Sequence, residues 1–201
     1  SSETVTYGAA MSDMHCRMPN SNRRGPNDGA TRALTQALNS ARATLAVNEI
    51  KLVEAYGNPF ELFPQLRTIW PQPYAQIAEE ASGEDSHTGQ VLLIMYLNVV
   101  VGITGVFDDC DYPDDIFLRW HGVIPEARRS GIARKALELL IYSACKKYYP
   151  DRKNLVELVP DNEYGRTIVE PFFQRIGFVK RGPLETWDWI DHAWQPYVLA
   201  F

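Results

Sequence analysis

The chain has 201 residues, enough for one well-packed domain with an extension and too few for two full domains at about 150 residues each. Hydrophobic residues make up 45% and charged residues 22%, an ordinary soluble composition that excludes wholesale disorder, a collagen repeat and a disulfide-stapled miniprotein. With 20 Lys+Arg against 25 Asp+Glu the net charge is -5, so neither nucleic acid nor a membrane surface is expected as a partner.

Residues 1–10, ahead of Met11, are set aside, and the N-terminus has no basic stretch followed by an apolar core, so no secretory signal is expected. Residues 11–28, rich in Met, Pro, Asn, Arg and Gly, read as an irregular arm carrying Arg17, Arg23 and Arg24. Asn27 or Asp28 caps a predicted helix with Ala30, Leu34, Ala37, Leu38 and Ala41 on one stripe. Residues 1–43 are thus an N-terminal extension, arm plus helix, and 44–201 the folded domain. A first strand is expected between Thr44 and Ala55, stopped by Gly57-Asn58-Pro59. Pro64, Pro71 and Pro73 break Phe60 to Ala81 into two short helices. Val91–Leu97 and Val99–Phe107 are β-rich runs parted by little more than Asn98, which predicts a tight antiparallel hairpin. This longest apolar stretch is well short of a membrane span, which needs about 18 residues or more.

Five aspartates follow, Asp108, Asp109, Asp111, Asp114 and Asp115, and then a strand from Ile116 to Ile124. After Pro125, the residues Ile132, Ala133, Ala136, Leu137, Leu140, Ile141 and Ala144 recur at helical spacing. A strand at Leu155–Val159, a helix over Glu163–Ile176 stopped by Gly177, and closing strands at Phe178–Arg181 and Pro196–Phe201 complete the pattern. Cys16, Cys110 and Cys145 form no CxxC pair, so no metal site is expected and a reducing cytoplasm suits the chain.

The most informative segment is Val123-Ile124-Pro125-Glu126-Ala127-Arg128-Arg129-Ser130-Gly131-Ile132-Ala133. A strand enters a turn just where a helix begins, and free N–H groups with the positive dipole end make a helix N-terminus a site for anions. Gly131 allows close backbone approach, Ala133 keeps the first helical turn uncluttered, and Arg128, Arg129 and Arg134 add positive charge. The pattern is that of a pyrophosphate cradle, and it is neither GxxxxGK[ST] nor GxGxxG, which counts against nucleotide hydrolysis and NAD.

Here the sequence resembles the GNAT superfamily of acyl-CoA-dependent N-acyltransferases. Val123, Pro125, Arg128, Gly131 and Ala133 match the VxPxxRxxGxG/A element, and Phe173-Gln-Arg-Ile-Gly177-Phe178, about 40 residues on, is similar to the later YxKxGF element. The resemblance covers roughly 44–201 and implies an α/β (α+β) fold: a mixed, V-splayed sheet of about six or seven strands flanked by helices, here with an extra N-terminal helix. It further implies acetyl-CoA as co-substrate, with pantetheine bonded to the backbone near Val123 and Ile124. The N–H groups of Arg129, Ser130, Gly131, Ile132 and Ala133 would then hold the pyrophosphate, and the reaction would be direct attack of an amine on the thioester, without a metal.

Two positions depart from the family. The tyrosine that commonly protonates the departing thiolate falls on Phe173, and the asparagine seven residues earlier falls on Arg166. Either no acid is required, or Tyr164 or Tyr112 replaces it. For the base, His121 stands two residues before Val123 and so on the same face of the expected strand; a packed core histidine is the other reading. His15, His87 and His192 carry no motif. The aspartates at 108–115 are either a solvated loop or a field that draws a cationic amine into the acceptor mouth, with Glu49, Glu54 and Glu61 adding to it. Trp70, Tyr74, Trp187, Trp189 and Trp194 either line that cleft or pack the core.

These features point to a cytoplasmic N-acetyltransferase acting on a primary amine of a small cationic molecule: an aminoglycoside, a polyamine or an amino acid. A protein-lysine or N-terminal acetyltransferase is the nearest alternative, and a non-catalytic acyl-CoA-binding regulatory module is the reading that Phe173 permits. Transfer to an aminoacyl-tRNA is opposed by the acidic charge. A homodimer rests on fold analogy alone.

Overall fold

The computed structural model describes residues 49–72, 74–83, 89–186 and 193–201. The expected extension over 1–43 and its helix, together with His15, His87, Trp187, Trp189 and His192, lie outside the described residues. The sheet opens with β1 (Ile50–Glu54), antiparallel to β2 (Gly89–Tyr96). Between them the prolines act as expected, dividing the chain into α1 (Pro59–Leu62), a 3-10 turn at Pro64–Thr68, and α2 (Tyr74–Gly83). Pro59 occupies the first turn of α1, and the Asn58 side chain caps it by accepting the Phe60 N–H at 2.9 Å.

β2 and β3 (Val99–Phe107) form the expected hairpin. Its two loop residues, Leu97 and Asn98, both take positive φ (51° and 63°), as a two-residue turn matched to the strand twist requires. Nearly every residue of β3 is buried, which explains its unbroken apolar run: both faces of this central strand are covered.

The expected strand from Ile116 to Ile124 is instead two strands, β4 (Asp115–Leu118) and β5 (Gly122–Val123). Both pair with β3, but their registers are offset by one residue, so Arg119–His121 holds an extra residue and forms a bulge, with Trp120 at φ 49°. Two-residue alternation does not carry across it. This division brings the sheet to eight strands rather than six or seven, in the order β1-β2-β3-β4-β6-β8-β7 with β5 on β3.

β6 (Asn154–Pro160) lies parallel to β4 only from Asp115↔Asn154 to Phe117↔Val156. Past that point β6 follows β8 (Trp194–Ala200) while β5 follows β3, and the sheet forks. β7 (Val179–Lys180) closes the edge on β8. The helix that starts at α3 (Ile132–Leu139) runs on through a π-wound stretch, Leu140–Cys145, into α4 (Lys146–Tyr148). It joins the two branches: Ile132 and Ala136 pack with Phe60, Ile94 and Ile103, whereas Leu137 and Leu140 pack with Ile116, Leu155 and Phe173. None of the described helices is long and apolar enough to cross a membrane.

After β6 the chain enters another π-wound turn, Gly165–Val169, and α5 (Glu170–Ile176), ended by Gly177 at φ 111°. Gly165 is pressed against β6, where an added Cβ would stand 1.7 Å from the Pro160 carbonyl oxygen. Such a clash with backbone cannot be relieved by rotating a side chain, so Gly165→Ala is expected to cost about 1–3 kcal/mol. A urea midpoint unchanged from the unsubstituted protein would show that the Pro160–Gly165 approach is not needed.

Candidate active site

The fork holds a cavity of about 1130 Å³. One wall is the turn from Ala127 to Arg134, the second is the bulge and β5, the third is the end of β6 with Tyr164, and Ile69, Trp70 and Tyr74 cover the mouth.

The first wall has the free-amide geometry that the sequence suggests. Gly131 stands at the N-cap of α3 with φ 83°, and Arg129 also takes a left-handed conformation at φ 60°. An added Cβ at Gly131 would meet nothing within 4 Å, so backbone conformation rather than space calls for glycine. Among the described residues the amides of Arg129, Gly131 and Ala133 have no acceptor, whereas the Ser130 amide closes the turn over residues 128 and 129. The Ile132 amide differs, because the Ser130 hydroxyl accepts from it at 3.4 Å while donating to the Ala127 carbonyl at 2.5 Å. Ser130 thus shapes the turn with its side chain. The Arg128 guanidinium is likewise in use, donating to the Ile69 carbonyl at 2.7 Å and so tying the mouth segment to the turn. Val123 and Ile124 are buried beside it, and the Ile124 amide donates to Val101 at 2.9 Å.

His121 lies in the bulge, not in a strand. Nε2 is 3.0 Å from the Ala133 carbonyl oxygen and Nδ1 is 2.9 Å from the Thr104 hydroxyl. A carbonyl only accepts, so Nε2 carries the hydrogen and Nδ1 accepts from Thr104. Both nitrogens are therefore occupied. Burial pushes the ring down to about 4, with the Ala133 carbonyl opposing only part of that shift, and Phe172 stacks on it at 5.9 Å. The expected base is, in this geometry, a bracket between β3, the bulge and the first turn of α3.

The aspartates do not reach the cavity, which corrects the acceptor-field reading. They gather at and before the start of β4, and none of the five is among the residues that line the cavity, which takes in Phe117 and Leu118 at the other end of that strand. Three are also neutralised: Asp108 by Arg152 at 3.1 Å, Asp114 by Lys153 at 2.8 Å, and buried Asp115 by Arg181 at 2.6 Å with Asn154 at 2.9 Å. Asp109 accepts from the Asp111 amide at 2.9 Å, shaping the loop. Tyr112 packs edge-on against Phe117 at 5.4 Å, outside the cavity lining.

Tyr164 does line the cavity and stacks on Tyr74 at 5.5 Å. Burial raises its hydroxyl above the usual tyrosine range, while the Arg128 charge opposes the shift. Phe173 is buried against Phe172 and Phe178 and borders the cavity with an apolar edge. Arg166, at the asparagine position, pairs with Asp161 at 2.8 Å on the surface.

Sequence reasoning missed Glu157. It lines the cavity from β6, just beyond the last β4–β6 pair, and among the described residues no hydrogen bond or ion pair holds its carboxyl. Burial raises that carboxyl well above the ordinary carboxylate range. A single acidic residue inside the apolar run Leu155–Val159 was the available signal.

No family model matches the chain, and no curated protein matches it by sequence. Solved structures do match. A Desulfovibrio desulfuricans protein assigned to the GNAT family of acetyltransferases aligns with a TM-score of 0.58 at 14% identity, covering 75% of this chain and 98% of that one. An acetyltransferase from Streptococcus agalactiae aligns at 0.55 with 19% identity over 76% and 99%. The spermidine N-acetyltransferase of Vibrio cholerae, solved with CoA and spermine, aligns at 0.55 with 12% identity over 76% and 96%. The fold is therefore that of the GNAT acetyltransferases, as the two sequence motifs imply.

The His121 bracket has a pH signature. The folded protein keeps the ring neutral down to about pH 4, whereas an unfolded chain protonates it near 6.5. The stabilisation is complete above pH 6.5 and is lost on acidification toward 4, by up to about 3 kcal/mol. In urea titrations at pH 7.5 and 4.5, His121→Asn is expected to reduce the pH-dependent loss; an equal loss in both proteins would place the ring outside that linkage.

Proposed function

We propose that the protein is an acyl-CoA-dependent N-acetyltransferase that moves the acetyl group of acetyl-CoA to a primary amine on a small cationic molecule. One observation carries this reading: the unpaired amides of Arg129, Gly131 and Ala133 at the head of α3 and the unpaired Glu157 carboxyl border the same cavity in the fork. The Vibrio cholerae neighbour, with CoA and spermine bound, supports both substrate classes.

The amides of Arg129, Gly131 and Ala133 hold the pyrophosphate of the donor, with Arg129 and Arg134 as added charge at the rim. Val123 borders the path of the pantetheine arm and Phe173 supplies an apolar side to it, whereas Ile124, with its amide on Val101 and its carbonyl on Ala127, stands behind that wall. Glu157 receives the ammonium form of the acceptor and takes one proton from it, which frees the nitrogen lone pair. That nitrogen bonds to the thioester carbon, the carbon–sulfur bond breaks, and the thiolate takes a proton from the Tyr164 hydroxyl; the second proton that the nitrogen sheds as the amide forms restores that hydroxyl, and Glu157 releases the first to solvent. Burial suits both groups: a carboxyl with raised proton affinity is a competent base near neutrality, and a tyrosine held above its usual range keeps its proton until the thiolate forms. His121 is a positioning residue here, joining the bulge to the cradle.

Calorimetric titration of acetyl-CoA is expected to give saturable binding that Gly131→Asp abolishes, because the substitution puts a carboxylate and a strained φ into the anion site. Glu157→Gln is expected to retain that binding, lose about 100-fold or more in kcat, and lose the acidic limb of its pH–rate profile. Undiminished turnover by Glu157→Gln would remove the carboxyl from the proton path.

A further inference from the structure

The walls of the acceptor part of the cavity are aromatic. Trp70 and Trp120 meet edge to face at 5.8 Å, Tyr74 stacks on Tyr164, and Trp194 contacts Tyr74 edge-on at 6.4 Å. All five border the cavity, with Ile77, Leu158 and Pro160. Against them stands one carboxyl: among the described lining residues Glu157 is the sole acid, while Arg119, Arg128, Arg129, Arg134 and Arg175 all border the space. We infer that the acceptor is a primary monoamine with a flat aromatic body, its ammonium group on Glu157 and its ring among Trp70, Trp120 and Tyr74.

Charge counting separates this class from the other cationic amines. A polyamine would bring a second and third ammonium against aromatic and aliphatic walls that, among the described lining residues, hold no second carboxyl to receive them. An aminoglycoside adds to that a set of hydroxyls, each needing a partner that indole and aliphatic walls do not supply. An aryl ring instead exchanges water for stacking and edge contacts, and a single ammonium beside indole faces gains cation–π attraction. Of the aspartates, the one feature that favoured a polycation in the sequence, Asp108, Asp114 and Asp115 are paired, and none of the five lines the cavity.

This inference rests on the transferase reading, and the test keeps the two apart. Acetyl-CoA binding is measured by calorimetry, and thiol release is then followed in the same preparation with 2-phenylethylamine, tryptamine, spermidine, kanamycin and a short lysine-containing peptide. The expected result is acetyl-CoA binding and a kcat/KM for the two arylalkylamines at least about tenfold above the other acceptors, a difference of about 1.4 kcal/mol. Trp70→Ala should raise KM for tryptamine by about tenfold with the acetyl-CoA affinity unchanged, which also reports that the variant is folded; Trp70→Phe should restore most of the loss. Preference for spermidine, kanamycin or the peptide overturns the substrate class, as does acetyl-CoA binding with no turnover of either arylalkylamine, and both leave donor binding intact. Absence of acetyl-CoA binding overturns the transferase reading, and the inference falls with it.

Discussion

The constraint on which the rest depends is the loss of pairing between β4 and β6 after Phe117 and Val156. Two strands that part in the middle of a sheet leave facing edges whose N–H and C=O groups need other partners. The bulge at Arg119–His121 makes the parting possible: its extra residue turns the chain so that β5 stays with β3 while β6 stays with β8. An extended, amide-bearing molecule can enter such a gap as a strand would. The fork therefore supplies both an internal space and an unpaired sheet edge beside it.

A fork would close or slide if its branches were independent. Three ties hold it open. The helix beginning at α3 sends side chains into both packed clusters, so each branch is fixed to one rod. The His121 ring spans Thr104 and Ala133, which locks the bulge to the rod's first turn, and the Arg128 side chain reaches the Ile69 carbonyl, which locks the mouth to the same turn. Each tie ends within a few residues of the free amides. The anion cradle is thereby preorganised without spending its own amides on internal bonds, the condition under which a site binds with least reordering.

The sequence made the order of elements legible because strongly local signals set it: prolines divided the first helical region, a two-residue turn closed the hairpin, and glycines marked the head of α3 and the end of α5. The cradle was legible for the same reason, since conformation and free amides are properties of one short segment. The bulge was not, because Ile116–Ile124 reads as one strand and only pairing with β3 shows the extra residue. The placement of His121 assumed unbroken alternation across that segment, and although the bulge interrupts it, His121 and Val123 both line the cavity. Glu157 was hidden for a different reason: its environment is made by Tyr164, Tyr74 and the fork, which are distant in sequence or absent from any local pattern.

Net charge was the poorest guide to the site, and the structure shows why. Formal charge counts every carboxylate equally, yet Asp108, Asp114 and Asp115 each face a cation and serve to fasten the β4 end of the sheet to Arg152, Lys153 and Arg181. A carboxylate in such a pair has little field left to attract a substrate. Glu157 enters the same count as one charge, yet it has no hydrogen-bond or ion-pair partner among the described residues, and burial raises its carboxyl well above the ordinary carboxylate range. Across the chain the acidic excess sums paired and unpaired groups alike; inside the fork it comes down to Glu157, the sole acid among the described lining residues.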